Sequence, residues 1–164
     1  MKKKFLLLLV LLMTLSLCAC GAAENTDGKN ESFDTLQVGF GKAKIQPPDL
    51  NIRLTGGGDP NRFVTGVLDE MYLTCVALTD TKGNNLLFYT VDIQNFANSW
   101  AKHAQNFVSE RTGIPTTHIF FGCTHTHSTP ELCYDTEANR KFCQKFEEGL
   151  IKATDDALAD RADA

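Results

Sequence analysis

Histidine is scarce in this 164-residue chain, and its placement is uneven. Of four histidines, three fall in one stretch, "HIFFGCTHTHSTPEL", from His118 to Leu132. Other features are missing outright. No C-x-x-C spacing occurs, which removes the knuckle type of structural zinc site. No internal repeat appears, and no basic excess: the formal net charge is −4. Removing residues 1–19 takes three of the sixteen basic residues and no acid, leaving thirteen against twenty, a balance of −7. That argues against nucleic acid or an anionic lipid surface as the main partner.

A long apolar run occurs only at the start. Lys2, Lys3 and Lys4 precede "FLLLLVLLMTLSL" and then "CAC", the pattern of a signal peptide. The run falls short of the roughly twenty apolar residues that a membrane span needs. Leu17, Cys18 and Ala19 before Cys20 resemble a bacterial lipobox, so residues 1–19 are expected to be a lipoprotein signal peptide. Cys20 is then lipidated, anchoring the mature chain by lipid to the outer face of a bacterial cytoplasmic membrane. A plain secretory signal is the simpler alternative. Residues 20–35, "CGAAENTDGKNESFDT", are small, polar and aperiodic, which predicts a flexible tether. Residues 36–164 are enough for one core.

Cys18 and Cys20 belong to the signal, leaving Cys75, Cys123, Cys133 and Cys143. The first two lie in apolar runs, where a small buried thiol is expected. Cys133 and Cys143 are the better placed to pair.

Alternation over "LQVGFGKAKI" (Leu36–Ile45) predicts a strand ended by Pro47 and Pro48. Residues 49–68 form a loop around "TGGGDPNR", flexible or made for close approach, since no Gly-Lys-Ser/Thr follows its glycines. "EMYLTCVALTD" and "NLLFYTVDI" flank "TKGNN" as a hairpin. Trp100, Ala104, Phe107, Val108 and Arg111 recur at helical spacing over 98–112, with Asn98 or Ser99 as the cap and Gly113 as the stop. A strand over 118–123 and a helix from Glu137 to Leu158 follow. Strand 86–92, helix 98–112 and strand 118–123 make a βαβ unit with parallel strands and a right-handed crossover. The fold class is therefore layered α/β with a mixed sheet.

Both strands of that unit end in chemically capable residues. Asp92 closes the first, and His125 and His127 follow the second. Ligands bind beyond the carboxyl ends of such strands. If the backbone stays extended, Cys123, His125 and His127 point the same way. Two converging imidazoles suit a divalent metal such as zinc; alternatively one ligates while the other serves a substrate. His118 is expected to be structural and His103 solvated.

"VGFGKAKIQPP" (Val38–Pro48), "VDIQ" closing a strand and "GCTHTHSTP" resemble, in order and spacing, the successive motifs of the neutral/alkaline ceramidase N-terminal domain. The resemblance runs from about Leu36 to Pro130. It implies a zinc-dependent amidase that hydrolyses the N-acyl bond of ceramide-like lipids. In it His125 is a zinc ligand, His127 is the catalytic, substrate-facing partner, and Asp92 matches a position near the site, in contact with substrate or behind it. The family's further zinc ligands come from well downstream, so the chain is expected to be the N-terminal portion of such an enzyme and its domain incomplete. Glu131 and Tyr134 lie nearby without matching those ligands. The competing reading is a non-catalytic ligand-binding surface lipoprotein with a degenerate metal site. An amidohydrolase barrel also opens on His-x-His, but normally on its first strand, and here at least three strands precede it.

Cys20→Ala tests the anchor. The variant should accumulate unprocessed or leave the membrane fraction on cell fractionation; normal cleavage with unchanged membrane retention would refute lipidation there.

Overall fold

The structure, a computed structural model, describes residues 32–133 and 135–164. The expected signal segment, Cys20 and most of the expected tether lie outside the described residues, as does Tyr134. Among the described residues, five strands and two helices make up the layers: β1 (Gln37–Lys44), β2 (Tyr72–Thr79), β3 (Asn85–Val91), α1 (Asn98–Thr112), β4 (Ile119–Cys123), α2 (Glu137–Ala159) and β5 (Ala162–Asp163). The sheet order is β4-β3-β2-β1-β5. All pairs are antiparallel except β3–β4, the parallel pair of the expected βαβ unit. The sheet is mixed, as its sequence pattern predicts.

Alternation puts Leu73, Cys75, Ala77, Leu87, Tyr89 and Val91 on one face, all buried. Helix α2 packs on that face against β1 and β2, while α1 packs on β4 and on α2. The contact of α2 with β1 is unusually close. A Cβ on Gly41 would overlap the Ala153 carbonyl oxygen, and one on Gly39 that of Ala157. A Cβ on Gly149 would lie 2.6 Å from Ile45 Cγ2. Small residues on both partners let backbone meet backbone. Deeper in the layer, the Tyr89 hydroxyl and Thr154 Oγ1 share a buried hydrogen bond of 2.6 Å.

The other face carries an apolar row. Phe40, Val76, Phe88 and Phe120 stand opposite one another across β1 to β4. Phe88 and Phe120 stack with centroids 5.2 Å apart. All three phenylalanines are exposed, Phe40 to 64%.

Several local expectations change. The N-cap of α1 is Ala97, with no side-chain cap, rather than Asn98 or Ser99. Gly113 does end the helix at φ 74° and donates to the Ser109 carbonyl. His118 sits in a 3₁₀ turn, Thr116–His118, before β4, with Nδ1 3.1 Å from the Asn85 carbonyl. His103 is not simply solvated: it contacts Glu147 at 2.7 Å and Trp100 edge-on. β5 has no counterpart in the sequence pattern; its two residues pair with the start of β1. Cys133 and Cys143 are thiols, and Cys143 Sγ donates to the Cys133 carbonyl at 3.1 Å, using the hydrogen that a disulfide would lack. Burial pushes the Cys143 thiol up to about 12, so it is a poor nucleophile at neutral pH.

Gly41→Ala should cost about 1–3 kcal/mol of stability, because a backbone carbonyl must move to admit the methyl. Gly66→Ala, where the space is open, is the control. Chemical denaturation of both variants checks the difference.

Candidate functional site

The βαβ unit brings its two strand ends together. Beyond β3 and β4 the backbones stay joined: Thr124 donates to the Val91 carbonyl at 3.0 Å and His125 to that of Ile93 at 3.1 Å. Extension then breaks. His125 has φ 58°, a left-handed conformation that a non-glycine residue adopts at a cost of about 1–2 kcal/mol. The expectation that Cys123, His125 and His127 line one face of an extended strand is therefore wrong. The histidines converge by a turn instead.

Their rings meet with centroids 5.0 Å apart, nearly perpendicular, and with the two Nε2 atoms 3.3 Å apart. Both side chains are exposed. His125 Nδ1 lies 2.7 Å from the Gln94 carbonyl oxygen. A carbonyl only accepts, so Nδ1 carries the proton and Nε2 presents its lone pair, the tautomer a metal ligand needs. Two imidazoles bound tetrahedrally to one zinc at about 2.0–2.1 Å hold their nitrogens roughly 3.3–3.4 Å apart. The observed spacing suits that geometry, and equally a hydrogen bond from His127 to His125. Gln94 Nε2 also lies 3.3 Å from His127 Nε2.

The fit to zinc is partial. A catalytic zinc takes three protein ligands and a water. Among the described residues no three His, Cys, Asp or Glu side chains are grouped to hold a metal ion. Cys123 donates no third ligand: it is half-buried, near the backbone of Phe96, and desolvation raises its thiol. Glu131 lines a shallow depression beside Gln94 and Gly56.

The glycine loop closes on the pair. Arg53 and Phe63 form an antiparallel bridge, so residues 53–63 are a small hairpin rather than a free loop. Its tip turns through Gly56, Gly57 and Gly58, all at positive φ. A Cβ on Gly56 would lie 2.5 Å from His127 Cβ and 2.8 Å from its Nδ1. This is the close approach that the triple glycine predicts. The hairpin is tied down by Thr55, whose N–H and Oγ1 both donate to the Thr129 carbonyl at 2.8 Å. Arg62 adds bonds to the Gly56 carbonyl (3.2 Å) and Ser128 Oγ (3.4 Å).

Asp92 directly follows β3. Its Oδ2 accepts from the Tyr72 N–H at 2.9 Å, and its own N–H donates back to the Tyr72 carbonyl at 3.0 Å. It lines a cleft of about 580 Å³ with Thr124, Thr126, Ser128 and Thr129. The structure thus joins His125 with His127 and holds Asp92 near but apart. Gln94 and Gly56 were missed as site residues. The Gln94 side chain falls two positions after Asp92 in "VDIQN", close enough to the strand end to have been considered.

Comparison with known proteins now bears on this site. No protein-family model matches the chain. The neutral ceramidase of Drosophila pseudoobscura pseudoobscura is 27% identical over 139 residues, 77% of this chain and 20% of the relative. The crystal structure of neutral ceramidase from Pseudomonas aeruginosa superposes with a TM-score of 0.69 at 16% identity, over 79% of this chain and 22% of that one. A ceramidase complexed with C2 matches equally well, at the same coverage. The chain is similar to part of a neutral ceramidase. It spans about a fifth of the length of the ceramidases it matches.

Gly56→Ala should displace His127 and cost about 1–3 kcal/mol from the overlap, beyond the backbone strain of a positive φ. Gly58→Ala meets no atoms and should show the strain alone. Thermal melts and the histidine ring resonances in NMR separate the two outcomes.

Proposed function

We propose that this chain is the histidine-bearing portion of a zinc-dependent amide hydrolase acting on the N-acyl bond of ceramide-like lipids. The observation that carries this reading is the His125–His127 pair, with the His125 tautomer set by the Gln94 carbonyl. The likeness to neutral ceramidases, one of them in complex with C2, supports the reaction class and the lipid amide substrate. His125 would hold the zinc through Nε2, with further ligands from outside the described residues. A zinc so held supplies Lewis acidity toward the amide oxygen and lowers the pKa of bound water.

The rest falls to this chain's own side chains. Gln94 keeps the His125 ring in one orientation through its backbone, so the ligand costs no tautomer search. His127, exposed and backed by Gly56, is placed to give or take a proton at Nε2 beside the reacting amide. The anchor at Cys20 and the outer face of a bacterial cytoplasmic membrane complete the proposal. A lipid anchor would hold the site near a lipid substrate.

The test is a pair of variants, in the chain and in a form extended to ceramidase length. His125→Ala should lower zinc content and abolish hydrolysis of a fluorescent N-acyl sphingosine together. His127→Ala should keep most of the zinc yet lose about 10²–10⁴-fold in turnover. Equal loss of zinc in both would make both histidines ligands. No zinc in the extended, unsubstituted protein would refute the metal-dependent reading.

A further inference from the structure

Gln94 meets both histidines, one through its backbone and the other through its side chain. Its carbonyl oxygen accepts the His125 Nδ1–H at 2.7 Å, and its Nε2 lies 3.3 Å from His127 Nε2. The backbone at this point has little freedom. Ile93, just before it, is buried, donates to the Val91 carbonyl and accepts from the His125 N–H. Gln94 itself is half-buried and shares a shallow depression with Gly56. The backbone carbonyl sets the His125 tautomer; the carboxamide is left with His127 alone.

The polar contacts of the His127 ring converge on one atom. Among the described residues, only His125 Nε2 and Gln94 Nε2 come within hydrogen-bond distance of the ring, both 3.3 Å from its Nε2. Gly56 backs the Nδ1 edge. His125 Nε2 carries no hydrogen, because its Nδ1 keeps the proton for the Gln94 carbonyl. While that lone pair is free, His127 can donate its own Nε2–H to it. The carboxamide suits this state too, since half a turn presents its oxygen in place of its NH2. Once the His125 lone pair is given to an ion, the donation ends. His127 then has two uses for an Nε2 lone pair: the same ion, which the 3.3 Å spacing allows, or the Gln94 N–H.

We propose that Gln94 is a positioning residue whose side-chain amide engages the His127 lone pair and biases that ring away from the metal and toward the substrate. The division of two like histidines into a ligand and a partner of the reacting amide then has a local cause. One neutral hydrogen bond shifts such a balance about fivefold. That tilts His127 without fixing it, so the ring stays free to exchange this partner for a reacting group. Contacts at the long end of the hydrogen-bond range are common at catalytic groups before a substrate closes on them. Few side chains could replace the carboxamide here: a glutamate only accepts, and an aliphatic chain does neither. The inference rests on His125 as a zinc ligand in the amide-hydrolase reading, but the bias can be measured without turnover.

The test is the zinc affinity of the full chain, measured by competition with a chromogenic chelator. Gln94→Met keeps the length of the side chain and the backbone carbonyl, so the His125 ring resonances should hold their positions in NMR. It should bind zinc about fivefold tighter than the unsubstituted chain, and Gln94→Leu should do the same. Adding His127→Ala should erase the gain, because the released lone pair is then gone; this double-mutant cycle isolates the pair. In the extended form, Gln94→Met should lower kcat with KM little changed. Zinc affinity and turnover then move in opposite directions, which a loss of structure does not produce. Unchanged or weaker zinc binding in both Gln94 variants, or an equal gain in the His127→Ala background, overturns the proposal. Zinc binding indifferent to His125→Ala overturns instead the ligand assignment on which it rests. A zinc cycle that holds in an extended protein hydrolysing no N-acyl lipid overturns the hydrolase reading alone.

Discussion

Helix α2 lies against β1 with no side-chain layer between them, and the architecture follows from that contact. Gly39, Gly41 and Ala43 on the strand meet Gly149, Ala153 and Ala157 on the helix. Larger residues at either side would lift the helix off the sheet. At this spacing Phe142, Phe146 and Leu150 on the same helix are fully buried, and Thr154 reaches the Tyr89 hydroxyl. The helix also returns the chain to β1, where Ala162 and Asp163 add a short fifth strand. β1 leads at its other end into the segment whose hairpin carries Gly56, so the seam and the site share one strand.

The site depends on a second, smaller departure from regular geometry. Had His125 stayed extended, it and His127 would have projected in parallel from one face. The left-handed turn makes their Nε2 atoms converge. The turn's cost is met by two hydrogen bonds from His125 itself, one from its N–H and one from its ring, both to backbone carbonyls past β3. Strain of this kind persists where the surroundings over-determine it. The glycine hairpin completes the surroundings by filling the space behind His127, and residues within 124–129 also line the cleft that holds Asp92.

The open face of the sheet deserves weight in any account of how this chain behaves. The row from Phe40 to Phe120 runs across four strands. Exposed aromatic side chains in register are a surface that associates readily. Of the described helices, none is long and apolar enough to cross a membrane.

Local chemistry made much of this readable from the sequence. Helical spacing and Gly113 set the bounds of 98–112, which the structure reproduces as Asn98–Thr112, because a period and a stop are properties of neighbouring residues. The hairpin at 80–84, the parallel βαβ pair and the convergence of Asp92, His125 and His127 near one end of the sheet were legible for the same reason, as was the resemblance carried by "GCTHTHSTP". What the sequence could not decide depends on residues far apart in the chain. The left-handed turn at His125 is held by carbonyls some thirty positions earlier, and His103 finds Glu147 only after two helices pack. β5 exists because α2 delivers it to β1, and Gly56 meets His127 because Thr55 bonds to Thr129. Such contacts carry no local period or breaker to mark them. They form only when burial has already brought the strands and helices together, and so the tertiary structure alone could set them.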